Sequence, residues 1–487
     1  MPPGITIVGL GPGEPRLLTR QAWDVLSTAS EVWLRTGRHP VTAGLPSTLQ
    51  VHTFDDLYDR LESFEAVYLA IVERVLDLGL RPEGVVYAVP GDPSVGEATV
   101  AALVKAARVP ILRVHGVSFV EPCLACLGRD ALDGLFIADA LDLARRHHPP
   151  FPPDVPALVG QLYSNLVAGD VKLTLMNQYP DDHEVSLIQA AGTDDVGLVK
   201  LPLYELDHVA SIGSLSALFV PPLKSASAFE TFQETVAHLR APEGCPWDRQ
   251  QTPQSLRAHL MEEAFEALQA LDAEDPGALR EELGDLLLQI VLQVQIATEA
   301  GEFSMADVVR GINSKIVRRH PHVFGGLEVG GVEQVLQNWE ALKAVERAEN
   351  GEGKGLLGGV PIGLPALAQA AEIQRRVARV GFDWPDREGV LAKIGEEMRE
   401  VEEAANPASR AAEVGDLLFS VANYARWLDV DPESALREAN GRFRERFVRI
   451  EAAAVEGGRG LEGMTLEEMD RLWEAAKGDE DGGRAIG

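Results

Sequence analysis

Glu262-Glu263-Ala264-Phe265-Glu266, followed by Glu282-Leu283-Gly284-Asp285, returns further along the chain as Glu396-Glu397-Met398-Arg399-Glu400 with Glu413-Val414-Gly415-Asp416. On a helix, positions i, i+3 and i+4 share one side, so Glu262, Glu263 and Glu266 face one way, as do Glu396, Glu397 and Glu400. The second segment of each copy adds Glu282 and Asp285, or Glu413 and Asp416, from a neighbouring helix. Such a set suits a hard divalent cation, which can hold a polyphosphate. Leu283, Leu286, Leu287, Leu288, Ile290, Val291 and Leu292 surround Asp285. That pattern predicts a helix buried nearly all round, in which an unpaired carboxylate would be costly without a cation.

The surroundings of both copies are helical, rich in Ala, Leu, Glu and Arg with a period near 3.6. A Gly-rich break over residues 350–363 separates them. Residues 226–350 and 364–478 therefore read as two repeats of one all-α module. Upstream, residues 1–223 alternate strand-like and helix-like segments. Apolar runs at 5–10, 84–89, 111–114, 157–162, 185–190 and 196–203 predict an α/β domain. His148-Pro149-Pro150-Phe151-Pro152-Pro153 reads as a stiff link between two lobes of it. The fold class expected is thus multidomain: a two-lobed α/β domain followed by two helical modules.

Composition narrows the functional classes. The 487 residues carry a net charge of −31. Residues 1–225 hold 27 acids and 16 bases, and residues 226–487 hold 48 and 28. That surface repels nucleic-acid backbones and anionic membranes, leaving a small anionic substrate shielded by metal. The most apolar stretch, 283–297, is too short and too polar to span a bilayer. The amino terminus shows no signal peptide, and a cytoplasmic protein is expected. The three cysteines build no disulfide framework, and Cys123-Leu-Ala-Cys126 reads as two packed thiols.

Basic and aromatic residues follow each carboxylate set in the same order: Asn313, Lys315, Arg319, Trp339 and Lys343, then Asn440, Arg442, Arg446, Trp473 and Lys477. The i,i+4 pairs Lys315/Arg319 and Arg442/Arg446 could point together at phosphate oxygens. Each Trp could cover a base or sugar while the Lys four residues on meets a phosphate. Singly such residues are usually structural. Their matched order in two copies is what marks them.

With Cys245-Pro246-Trp247-Asp248, Gln251-Thr252, Arg318-Arg319-His320-Pro321-His322-Val323-Phe324 and Val380-Gly381-Phe382-Asp383-Trp384, these sets make the carboxyl-terminal half resemble the two-copy MazG-type nucleoside triphosphate pyrophosphohydrolases. The resemblance implies Mg²⁺-dependent cleavage of a nucleoside triphosphate between its α and β phosphates, and an all-α fold that dimerises through the helical modules. It implies Glu262, Glu263, Glu266, Glu282, Asp285, Glu396, Glu397, Glu400, Glu413 and Asp416 as metal ligands. Glu263 and Glu397 are the candidates to take a proton from the attacking water. Lys315, Arg319, Lys343, Arg442, Arg446 and Lys477 would meet the phosphates, and Asn313, Trp339, Asn440 and Trp473 the rest of the substrate. In that family the second copy is generally the main catalytic one. Here it has Arg442 where lysine is usual, while the first keeps Lys315, so both copies are candidates.

In the amino-terminal half, Gly9-Leu10-Gly11-Pro12-Gly13 closes the first strand-like run. Pro90-Gly91-Asp92-Pro93-Ser94-Val95-Gly96-Glu97 and His115-Gly116-Val117-Ser118 close two others. Glycine turns there let backbone amides approach a ligand. With Asp139-Ala140-Leu141-Asp142 and Lys200-Leu201-Pro202-Leu203-Tyr204-Glu205-Leu206-Asp207, they resemble the tetrapyrrole methylases of corrin and porphyrin synthesis. That implies two α/β lobes with S-adenosylmethionine between them, lined by Gly9, Gly11, Gly13, Gly91, Asp92 and Pro93. Three readings follow: a nucleotide hydrolase clearing damaged nucleotides, a methyltransferase with a helical dimerisation platform, or a hydrolase regulated by a ligand-sensing amino-terminal domain.

Overall fold

The computed structural model describes residues 4–106, 108–349, 355–458 and 460–484. The chain divides into two compact units, Met1–Gly244 and Cys245–Gly487.

The first unit opens with β1 (Ile5–Gly9), α1 (Arg20–Thr28), β2 (Glu31–Leu34), β3 (Gln50–Thr53), α2 (Asp55–Arg60), α3 (Phe64–Gly79), β4 (Val85–Val89), α4 (Ala98–Ala106), β5 (Ile111–Val114) and α5 (Val120–Leu127). Its five strands form one parallel sheet in the order β3-β2-β4-β1-β5. All residues of β1 and β4 are buried, as central parallel strands covered on both faces must be. Ile5, Ile7, Val85, Tyr87 and Val89 pack against α3 and α4 on one face, and Val8, Val86 and Ala88 against α1 on the other.

A second five-stranded sheet follows from β6 (Phe136–Asp139), α6 (Ala140–Ala144), β7 (Ala157–Gly160), α7 (Asn165–Leu175), β8 (Glu184–Gln189), β9 (Gly197–Pro202) and β10 (Ser216–Val220), in the order β6-β7-β10-β8-β9. Only β6 and β7 run parallel; the other neighbours are antiparallel. The Pro-rich stretch is not a link between the lobes. It lies after β6, inside the second lobe, where Phe151 is 3% exposed in the core and accepts a hydrogen bond from Gln178. Prolines free it from the sheet ladder while the one aromatic anchors it. Helix α8 (Phe229–Arg240) belongs to this unit, tied to it by Thr231 and Asp154. Helical character thus begins where the sequence changes, but the first helix stays with the α/β unit.

The second unit is helical: α9 (Pro246–Arg249), α10 (Arg257–Asp272), α11 (Pro276–Glu299), α12 (Met305–Arg319), α13 (Pro321–Phe324), α14 (Val332–Glu349), α15 (Ala366–Ala378), α16 (Arg387–Glu403), α17 (Pro407–Trp427), α18 (Pro432–Glu456) and α19 (Leu466–Arg484). The long hairpins α10/α11 and α16/α17 carry the doubled motif. Both second helices start alike, with Asp275-Pro276 and Asn406-Pro407. The capping oxygen accepts two backbone amides, from Gly277 and Ala278 or from Ala408 and Ser409, and proline fills the first helical position. Residues 350–354 of the expected linker lie outside the described residues. Among the described residues no helix is long and apolar enough to cross a membrane.

Helix α11 departs from expectation. Leu283, Leu287 and Ile290 are 51%, 38% and 40% exposed, and Asp285 is exposed as well. Within this chain α11 packs chiefly on α10, which covers one face and leaves the other apolar stripe open. The burial-cost argument for a cation therefore does not apply at Asp285.

Candidate metal centres and their surroundings

Carboxylates converge in each hairpin. In the first, oxygens of Glu263, Glu266 and Glu282 lie within 4.8 Å of one another. Burial and then the like charges of Asp285, Glu266, Glu262 and Glu282 push the Glu263 carboxyl above the usual range. Burial, Glu266 and Asp285 do the same to Glu282. Asp285 thus belongs to the cluster electrostatically although it is exposed. Glu262 stands at its edge, 3.6 Å from His259 Nδ1.

The second hairpin gathers Glu397, Glu413 and Asp416 within the same 4.8 Å. Glu397 is the most buried of the predicted ligands, at 4% exposure. Its Oε1 lies 2.7 Å from Lys393 Nζ, and its Oε2 is buried with no hydrogen-bond partner among the described residues. Lys393 also reaches Glu396 at 3.0 Å, and the two carboxylates hold its ammonium above the ordinary lysine range. Burial and Glu397 raise Glu400, against the opposing pull of Lys393. A buried carboxylate oxygen without a donor is what a hard cation satisfies, and an all-oxygen set of three to five carboxylates matches Mg²⁺ in ligand chemistry.

A cavity of about 570 Å³ opens beside this centre. The acids Glu397 and Asp416 form one end of it with Lys393 beside them, and Phe382, Trp384, Phe419, Gln374, Ser420 and Asn423 are among the residues lining the rest. Its far wall is braced by Asp383, which accepts two hydrogen bonds from Arg426 at 2.6 and 2.8 Å and one from Trp427. Burial alone would raise Asp383, but these bonds outweigh it and hold the carboxyl below its usual range. Sequence reasoning missed Lys393, Gln374, Ser420, Asn423 and Arg426. Lys393 was findable, because it stands four residues before Glu397 on the same helix face.

The basic and aromatic sets are placed less uniformly. In the first copy Lys315 and Asn313 are exposed on α12. Arg319 is bound to Glu346 of α14 at 2.5 Å, with Arg318 on the same carboxylate at 2.7 Å. Those hydrogen bonds, Arg319 first, bring Glu346 down to about 2. Trp339 has two cations near its ring, Lys343 Nζ 3.3 Å from the ring centre and Arg319 at 6.0 Å. In the second copy Arg446 stands 5.3 Å over Trp473, which also packs on Phe443 at 4.9 Å. Arg442 pairs with Glu438 at 3.4 Å, Lys477 lies 3.9 Å from Glu474, and Asn440 is exposed. Both tryptophans thus have a protein cation over the ring.

In the first unit the three glycine turns meet at the carboxyl ends of β1, β4 and β5. Gly11 and Gly91 exchange backbone hydrogen bonds. A Cβ on Gly9 would fall 2.6 Å from Gly116 N, and one on Gly116 would fall 2.2 Å from Gly91 O. Asp92 staples the turns, accepting from Ser94 N, His115 and Gly116 N. These bonds overcome the effect of burial and keep its carboxyl low. A cavity of about 410 Å³ adjoins them, lined among others by Pro12, Gly91, Phe119, Arg35, His39 and Glu97. Of the six predicted cofactor residues, Gly91 lines that cavity. Gly9, Gly11 and Asp92 shape the turns behind it, Gly13 packs against Thr193 and Pro40, and Pro93 is buried. Missed from sequence was the ion pair of Arg35 and Glu97 at 3.2 Å. Burial pushes Glu97 up to about 7 despite Arg35, and burial with Arg35 brings His39 down to about 4. The predicted pair of packed thiols is present: Cys123 is 1% exposed beside Cys126, and burial raises it to about 12.

Known proteins resemble both units. Residues 251–324 match the MazG nucleotide pyrophosphohydrolase domain, and residues 4–207 match the tetrapyrrole (corrin/porphyrin) methylases. An uncharacterized protein of Bacillus subtilis, YabN, is 41% identical over 97% of this chain and 98% of its own length. The nucleoside triphosphate pyrophosphohydrolase/pyrophosphatase MazG of Thermotoga maritima is 45% identical over 52% of this chain and 97% of its own length. A crystal structure of the uroporphyrin-III-C-methyltransferase of Thermus thermophilus aligns at 22% identity over 45% of this chain and 93% of that one, with a TM-score of 0.35.

Proposed function

Because the chain belongs to the MazG nucleotide pyrophosphohydrolase family, in the form that carries an amino-terminal tetrapyrrole methylase domain, we propose that its helical unit hydrolyses nucleoside triphosphates to a monophosphate and pyrophosphate. The observation that carries this reading is Glu397, a buried carboxylate with one oxygen unpartnered among the described residues, at the acidic end of an aromatic-lined cavity.

Glu397, Glu413 and Asp416, with Glu396 and Glu400 beside them, would hold Mg²⁺ in the second copy. Glu263, Glu266 and Glu282, with Glu262 and Asp285, would do so in the first. When bound, the ion neutralises the triphosphate and lowers the pKa of a bound water. Glu397 or Glu263, whichever keeps an oxygen not used by the ion, would accept the proton of the water whose oxygen attacks the α-phosphorus. The new P–O bond forms as the bridging bond to the β-phosphate breaks, and pyrophosphate leaves with that electron pair. Lys315, Arg319 and Lys343, or Arg442, Arg446 and Lys477, take up charge on the departing group. In the first copy a phosphate competes with Glu346 for Arg319. Asn313, Trp339, Asn440 and Trp473 are assigned to the remainder of the substrate.

The role is clearance of damaged or noncanonical nucleotides by a cytoplasmic enzyme that pairs through its helical unit. The open apolar stripe of α11 favours that pairing. Pyrophosphate release from a nucleotide panel, with and without Mg²⁺, tests the reading. Release that depends on Mg²⁺ supports it, and no release from any nucleotide sinks it.

A second reading concerns the first unit. The glycine turns and the 410 Å³ cavity favour S-adenosylmethionine as its ligand, either for methyl transfer to a tetrapyrrole or as a regulatory signal to the hydrolase. Binding of S-adenosylhomocysteine, measured by calorimetry, separates a working cofactor site from a vestigial one.

A further inference from the structure

The cavity beside the second centre carries another buried acceptor without a partner among the described residues. Gln374 of α15 is 4% exposed and lines the cavity. Its Nε2 donates to the Phe419 carbonyl of α17 at 2.7 Å. A carbonyl only accepts, so this bond fixes the amide: Nε2 faces Phe419, and Oε1 is the acceptor left over. Oε1 is buried and has no hydrogen-bond partner among the described residues. Buried polar atoms are rarely left so, and an exception beside a cavity points to a ligand donor. Ser420, 8% exposed, adds a hydroxyl to the same wall.

Position along α17 says which part of a nucleotide arrives there. Asp416, Ser420 and Asn423 share one helix face and all line the cavity. At about 1.5 Å of rise per residue, Ser420 lies roughly 6 Å beyond the carboxylate centre and Asn423 roughly 10 Å. With the α-phosphate at the carboxylates, the sugar is the next group along the nucleotide and the base the one beyond. Phe419 and Gln374 stand at the level of the sugar. Phe382 and Trp384 supply aromatic wall for the base.

We propose that Gln374 Oε1, with Ser420 beside it, accepts a sugar hydroxyl of the substrate, so that Gln374 sets the preference of the second centre between ribose and its deoxy forms. This rests on the hydrolase reading above. A site built to pair with a hydroxyl discriminates against the analogue that lacks it.

The test uses the full chain with the first centre silenced by Glu266→Gln. The kcat/KM for pyrophosphate release is compared for a ribonucleoside triphosphate and its 2′-deoxy and 3′-deoxy counterparts, with and without Gln374→Met. One deoxy analogue is expected to react about tenfold more slowly, identifying the hydroxyl, and Gln374→Met is expected to erase that difference. Equal rates for all three sugars in the Glu266→Gln protein overturn the assignment, whatever becomes of the Met variant. So does a preference that survives Gln374→Met, or a Glu266→Gln protein without hydrolysis when the unaltered chain is active. An unaltered chain that hydrolyses no nucleotide overturns the hydrolase reading itself, and this assignment with it.

Discussion

Glu397→Leu is expected to stabilise the metal-free helical unit while destroying its response to Mg²⁺. Glu397 is 4% exposed, with Lys393 at 2.7 Å from one oxygen and no hydrogen-bond partner for the other among the described residues. A buried unsatisfied oxygen costs about 1–3 kcal/mol, and leucine removes it. Lys393 loses an ion pair but is 32% exposed, so water replaces most of what it loses. The net expectation is a gain of about 1–2 kcal/mol, or roughly 2–8 °C in the melting of a unit this size. At a Mg²⁺ concentration a hundredfold above the dissociation constant, the parent centre gains about 2.7 kcal/mol and the leucine variant gains nothing there. The order of the two melting temperatures should therefore reverse between EDTA and Mg²⁺. The assay is thermal unfolding by circular dichroism, with Glu266→Gln in both proteins to silence the first centre. A leucine variant that melts below its parent in EDTA, or that keeps the full Mg²⁺ shift, would refute the reasoning.

Three further outcomes follow from groups described above. Glu346 is held at about 2 by Arg319 and Arg318, so its contribution to stability is present above pH ~4.5 and lost as pH falls toward 2. The melting-temperature gap between the parent and Glu346→Gln should narrow over that window; a constant gap contradicts the pairing. Glu97 behaves oppositely: its folded pKa of about 7 lies above the ordinary value, so stability of the first unit is lost as pH rises from ~4.5 to 7. Glu97→Gln should flatten that slope in urea melts, and an unchanged slope would acquit Glu97. Gly116→Ala places a Cβ 2.2 Å from the Gly91 carbonyl. It should cost about 1–3 kcal/mol or more and abolish S-adenosylhomocysteine binding by calorimetry; full binding would show the turns are not the cofactor site.

Features with a strong period or a covalent signature were legible in the sequence. The E-E-x-x-E spacing places its acids on one helix face wherever that helix packs. Asp275-Pro276 and Asn406-Pro407 start helices by local capping alone. The central strands β1 and β4, apolar at nearly every position, were equally plain. Strands β2 and β3 were not: Glu31–Leu34 and Gln50–Thr53 carry polar residues, and β2 is placed by burying Val32 and Leu34 and by pairing with β3 and β4. The exposure of α11 was misread because an all-round apolar pattern states what a helix could bury, not what this chain gives it to bury. Gln374 escaped because its importance arises from a bond across two helices to the Phe419 backbone, which no spacing encodes. The Arg35–Glu97 pair joins residues 62 positions apart and is likewise a product of the fold.

Lys393 makes the two centres unequal under chelation. A positive charge is tethered to the second hairpin and stays there when divalent ions are stripped away. The corresponding helix of the first hairpin offers His259, at 3.6 Å from Glu262 and charged only when protonated. Its acids therefore repel one another with less compensation, and hydrogen exchange in α10 and α11 should quicken before that in α16 and α17. Stripped of divalent ions, the first hairpin would thus loosen before the second.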